Sequence, residues 1–194
     1  LFGPHVFFFL MIRRPPRSTL FPYRRSSDLI QGNTFDEYVK LIEVARFNQA
    51  SWIILQPLLK TKNTSEEYCY NFYKKLIPYT KDTIVGIQNA IEYIGVGLTP
   101  KKIIKLYKSF PNFRVIKGEA SAVFIEKEIN QYPKDLRVFN GRGGQEIVDN
   151  FIIGCKGIIP CLDGADRFIK IYKLIQKNNF HVHLKILLVH FHQY

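Results

Sequence analysis

Phe113-Arg114-Val115-Ile116-Lys117-Gly118-Glu119-Ala120 is an apolar, strand-like run that closes on a lysine, with a glycine and a carboxylate directly after it. An ammonium group costs several kcal/mol to desolvate, so a lysine at that point needs a reason. One reason is that its head reaches water at the end of the strand. The other is that a desolvated lysine has a lowered pKa, becomes a neutral amine and attacks a carbonyl to form a Schiff base. The residues on either side decide between them.

Working outward, helix and strand periods alternate. Thr34-Phe35-Asp36-Glu37 is a capping box that opens a helix over about 34–49. A short continuous apolar strand is expected over about 51–58. Thr64-Ser65-Glu66-Glu67 caps a second helix to about residue 79, and the next strand covers about 84–90. Thr99-Pro100 puts proline at a first helical position, with Ile103, Ile104, Leu106 and Tyr107 on the buried side. After the lysine strand come a helix over about 120–130, a strand over about 136–141 and a helix over about 145–153. A strand over about 157–161 and a helix over about 165–176 complete the series. Five apolar strands, each followed by a helix, signify an α/β protein with a parallel sheet. Gly95-Val96-Gly97 lacks the third glycine of a dinucleotide fingerprint, and no Walker sequence occurs. A (β/α) barrel or an open doubly wound sheet remains. In a barrel, function gathers at the carboxyl ends of the strands. Gln56, Gln88-Asn89, Lys117 with Glu119, Asn140-Gly141-Arg142-Gly143-Gly144 and Asp163 all fall there.

The 194 residues carry a formal charge of +12. Five arginines sit within residues 1–29, and the remaining excess is mostly lysine scattered along helix faces, which reads as solvated surface. No concentrated basic stripe with stacking aromatics suggests a nucleic-acid reader. Three cysteines, none in a C-x-x-C pair, point to neither a zinc ribbon nor a disulfide framework and suit a reducing cytoplasm. The apolar runs fall short of a membrane span. Residues 1–29 have no helical or strand period and resemble the conceptual translation of a sequencing-library adapter, so they read as a non-native leader. Residues 178–194 hold four of the five histidines and read as an aberrant tail. Two His-x-His pairs there could bind a metal, but the segment has no carboxylate or cysteine to complete a site. The folded unit is thus expected over residues 30–177.

The set Val115-Ile116-Lys117-Gly118-Glu119-Ala120, Gln88-Asn89, Val138-Phe139-Asn140-Gly141 and Gly154-Cys155-Lys156-Gly157-Ile158-Ile159, in this order and spacing, resembles the dihydrodipicolinate synthase / N-acetylneuraminate lyase family. The resemblance implies a (β/α)8 TIM-barrel fragment of about five C-terminal β/α units. It makes Lys117 the Schiff-base lysine and gives Ile159, Gly141, Gln88 and Tyr93 substrate-contacting positions. It also implies a small 2-oxo acid such as pyruvate as substrate, no cofactor, no nucleic-acid or membrane partner, and a homo-oligomeric parent. The departures are Gln88 where the family has a catalytic tyrosine and Tyr93 where the synthase has an arginine. Pro57-Leu58-Leu59 stands in place of Pro-Tyr-Tyr, and the second-strand Gly-Thr-Thr loop has no counterpart. Turnover by this chain itself is therefore not expected, and an incomplete barrel should be unstable alone. Two other readings stay open: a non-catalytic binding module on the same scaffold, and a phosphate-binding barrel that uses Asn140–Gly144 as an anion nest. Glu119 could tune the lysine or orient a loop, but as a helix-start carboxylate it is read first as complementing the dipole of the following helix.

Overall fold

The computed structural model describes residues 27–58, 64–161 and 164–176. Six strands form one sheet in strict sequence order, β1 Ser27–Ile30, β2 Trp52–Leu55, β3 Ile84–Asn89, β4 Phe113–Gly118, β5 Arg137–Gly143 and β6 Gly157–Pro160. Every neighbouring pair is parallel. The connections are α1 Phe35–Phe47, α2 Glu66–Leu76, α3 Ile91–Ile94 with α4 Pro100–Ser109, α5 Ala122–Ile129 and α6 Ile147–Ile152, and α7 Ala165–Gln176 follows the last strand. This is part of a (β/α) barrel, as expected, with six strands rather than about five.

The additional strand is β1. Ser27–Ile30 straddles the boundary drawn at residue 29, and its backbone pairs with Trp52–Leu55. Four residues of which only Leu29 and Ile30 are apolar carry no readable period, so pairing rather than pattern reveals this strand. The one-turn helix Ile91–Ile94 was missed for the same reason, and the cap of α2 is Ser65, not Thr64. Thr34 caps α1 as its spacing required, accepting from the Glu37 backbone N–H. The leader up to residue 26, Asp163 and the histidine-rich tail lie outside the described residues.

The strands are buried on both faces, which explains why they read as continuous apolar runs. Ile53, Leu55, Val85, Ile87, Ile116 and Val138 point outward into the main core, against Tyr38, Ile42, Phe72, Leu76, Ile103, Leu106 and Ile125 of the helices. The alternate residues Trp52, Ile54, Val115, Phe139 and Ile159, with Leu29, form a separate inner cluster. Trp52 and Phe139 stand three strands apart, yet their ring centroids are 5.2 Å apart. A flat sheet would separate them by about three strand spacings of ~4.8 Å, so the sheet curls as a barrel wall does. At the β3–β4 pairing, a Cβ on Gly86 would lie 2.3 Å from the Val115 carbonyl oxygen. Only glycine permits that approach.

On α5 the buried stripe Ala122, Ile125, Glu128 includes a carboxylate. Burial pushes the Glu128 carboxyl up to about 7, a rise that the neighbouring Tyr132 hydroxyl partly offsets. The folded protein therefore binds this proton more tightly than the unfolded chain. The contribution is fully present below the ordinary value of 4.5 and lost as the pH rises through about 7. Glu128→Gln is expected to flatten that decline, which urea midpoints measured across this pH range would show. An unchanged slope would contradict the assignment.

Candidate functional site

On a strand, alternate residues share a face. The inner face that carries Trp52, Ile54 and Val115 therefore continues, at the carboxyl ends of β2, β3 and β4, into Gln56, Gln88 and Lys117. Gln88 and Lys117 are direct register partners across β3 and β4. The Gln56 backbone N–H extends the ladder by donating to the Ile30 carbonyl at 2.9 Å.

Lys117 is 2% exposed. Its Nζ lies 2.9 Å from Glu119 Oε1, the lysine side chain being 3% and the glutamate side chain 22% exposed. The other carboxylate oxygen, Oε2, accepts from Gln88 Nε2. Gln88 Oε1 in turn accepts from Gln56 Nε2 at 2.7 Å. The buried Tyr73 hydroxyl donates to the Gln88 backbone carbonyl at 3.3 Å, and burial holds its phenol well above the ordinary range. One hydrogen-bonded chain thus runs Gln56, Gln88, Glu119, Lys117 across three strand ends. Gly141 on β5 leaves it room. A Cβ there would meet Glu119 Cγ at 2.5 Å, Glu119 Oε1 at 2.8 Å and Lys117 Cε at 2.9 Å.

Of the residues expected at the site, Lys117, Gln88 and Gly141 come together. Ile159 is buried on the inner face among Trp52, Ile54, Val115 and Phe139. Tyr93 does not join the cluster: it is 61% exposed, and its hydroxyl accepts from Arg142 Nε at 3.1 Å. Asn89 and Asn140 face the helices. Asn89 exchanges two hydrogen bonds with the Leu98 backbone, at 2.8 and 3.0 Å. Asn140 Nδ2 donates to the Ala120 carbonyl and to Asn150 Oδ1.

The 140–144 segment is therefore a poor anion nest. Its arginine is paired with Glu146 at 2.6 Å, and its asparagine is engaged behind the sheet. Gly143 and Gly144 have φ of +63° and +94° and make the turn that lets α6 begin. A pocket of about 440 Å³ lined by Phe35, Leu58, Tyr68, Asn71, Phe72 and Lys75 opens on the helical side, away from the lysine.

Of the roles open to Glu119, the structure favours the one beside the lysine. The N-terminus of α5 is closed by other carboxylates, Glu92 accepting from the Ser121 N–H at 2.9 Å and Glu146 from the Ala122 N–H at 3.3 Å. Glu119 turns to the lysine instead. The two-residue spacing of Lys117 and Glu119 at a strand end was the available signal, since it puts both side chains on one face.

Gly141→Ala is expected to leave the chain folded, because the atoms a methyl would meet belong to two flexible side chains, while it drives Lys117 and Glu119 apart. Reductive methylation followed by peptide mass mapping should find Lys117 slow in the native chain and faster in the variant. Equal rates would show that the glycine is not needed for the contact.

No protein-family model matches the sequence, and no curated protein matches it significantly. Solved structures do. The sialic acid aldolase of Ruminococcus gnavus superposes with a TM-score of 0.73 at 20% identity, covering 82% of this chain and 53% of the aldolase. A catalytic lysine mutant of the same enzyme matches equally well, at 0.73. The dihydrodipicolinate synthase of Aquifex aeolicus gives 0.68 at 16% identity, over 84% of this chain and 54% of the enzyme. An E. coli K12 prophage protein of the dihydrodipicolinic acid synthase family, in complex with pyruvate, gives 0.69 at 16%, over 83% and 54%. The chain spans about half the length of these proteins, and over that half it has the fold of the aldolase and synthase barrels.

Proposed function

We propose that the chain is the lysine-bearing part of a class I aldolase or lyase, in which Lys117 condenses with the C2 carbonyl of pyruvate or another small 2-oxo acid. The observation that carries this reading is a lysine 2% exposed at the carboxyl end of a central barrel strand, inside a polar cluster drawn from three strands. A lysine that merely snorkels would hold its head in water. The catalytic lysine of the R. gnavus aldolase and the pyruvate bound to the E. coli protein support the same chemistry. In the iminium so formed, the nitrogen acts as an electron sink for making or breaking a bond at C3. A cytoplasmic, homo-oligomeric parent that needs no added cofactor fits this assignment.

Gln88 favours a second reading. A carboxamide cannot shuttle a proton as a phenol does. A module that binds a 2-oxo acid and stops at the imine would retain Lys117 and dispense with the tyrosine.

Imine formation, unlike full turnover, requires only the amine and a carbonyl within its reach, so it is tested on the 194-residue chain under conditions where circular dichroism shows it folded. Borohydride with excess pyruvate is expected to leave a reduced pyruvyl adduct on Lys117, located by peptide mass spectrometry, and none on Lys117→Met. A native chain that acquires no adduct at Lys117, with its circular dichroism intact, would end the Schiff-base reading.

A further inference from the structure

Any bond-making or bond-breaking step on an imine must move a proton, and among the described residues the group paired with Lys117 is a carboxylate, not a phenol. We infer that Glu119 is the catalytic acid–base residue of this site, an assignment that rests on the Schiff-base reading above. Its two oxygens have different surroundings. Oε2 is held by Gln88, itself held by Gln56, whereas Oε1 faces the lysine nitrogen at 2.9 Å. The carbon and oxygen atoms attached to C2 of an adduct lie two bonds from that nitrogen, so Oε1 is the carboxylate oxygen turned toward them, and a general base needs an approach of ~3 Å.

The carboxylate is also the more exposed member of the pair, at 22% against 3%. A ligand coming from solvent meets it before the amine, and its proton can equilibrate with water. Other nearby acids are occupied elsewhere: Glu92 and Glu146 close the start of α5. The Tyr73 hydroxyl is buried and donates to the Gln88 backbone. Gln56 and Gln88 are positioning residues that hold the carboxylate against the amine, and Gly141 is the gap into which it fits.

The step balances without any further reactant. Glu119 carboxylate takes a proton from C3 of the iminium. The C–H electron pair becomes the C2–C3 π bond, and the former C2–N π pair returns to nitrogen, leaving a neutral enamine and a neutral carboxylic acid. Return of a solvent-derived proton to C3 reverses it. A carboxylate that only neutralises the buried lysine would take no part in this exchange.

The two roles separate in D2O, where proton NMR follows loss of the pyruvate methyl signal while borohydride trapping follows the imine. The native 194-residue chain is expected to do both. Glu119→Gln should still trap pyruvate at Lys117 while exchange falls by about 10²–10⁴-fold, the range of general acid–base catalysis. Glu119→Asp, with its carboxylate withdrawn by one methylene, should trap normally and exchange at an intermediate rate. If the glutamine variant loses its circular dichroism signature, the aspartate variant decides alone. Either variant exchanging at the native rate overturns the assignment, as does a native chain that traps but exchanges no faster than free pyruvate. Loss of trapping in both folded variants makes Glu119 a structural partner of the lysine and overturns it too. A native chain that fails to trap removes the Schiff-base reading itself, and the acid–base role falls with it.

Discussion

A buried lysine amine and a carboxylate held 2.9 Å apart at the carboxyl end of a parallel sheet form the constraint around which the rest of this molecule is arranged. Removing one partner of a fully buried ion pair costs on the order of 3–5 kcal/mol, since the other charge is left uncompensated. With the glutamate side chain 22% exposed, the pair here sits below that range. Water can partly solvate the carboxylate but hardly reaches the amine. The arrangement therefore depends more on Lys117 finding Glu119 than the reverse. That asymmetry explains why the glutamine clamp acts on the carboxylate: fixing Glu119 fixes the ion-pair partner of the lysine nitrogen.

The barrel geometry supplies what such a pair needs. Strand alternation sends Ile53, Leu55, Val85 and Ile87 outward to the helices, while the inner residues stack into the Trp52–Phe139 layer. The same alternation brings Gln56, Gln88 and Lys117 onto the inner face one step beyond that layer. Polar side chains on the opposite face do a different job. Asn89 satisfies the backbone of Leu98 and Asn140 the carbonyl of Ala120 behind the sheet, each sparing a buried backbone group a desolvation cost of about 1–3 kcal/mol. Polar residues adjacent in sequence at a strand end thus divide between site and scaffold by the face each one occupies.

Much of this was legible in the residues. Lys117 stood out because a lysine closing an apolar strand is costly, and Gly141 through the resemblance carried by Val138-Phe139-Asn140-Gly141. The long elements were placed closely: β4 at Phe113–Gly118 and α7 at Ala165–Gln176 match their apolar periods. β1 was not legible, because two apolar residues in four make no pattern. Tyr93 stands apart from the lysine cluster, because correspondence along a chain says nothing of where a one-turn helix points its side chains. The sequence left Glu119 between the lysine and the helix dipole, and the dipole is served by Glu92 and Glu146, which come from elsewhere in the chain.

By itself the sequence determined the alternation of strand and helix, the parallel sheet and the identity of the unusual lysine, since these follow from hydrophobic period and the cost of desolvating an ammonium. Only the tertiary structure decided which polar groups meet that lysine. The partners come from separate strands and depend on curl, register and the face each residue takes, none of which is written locally in the chain.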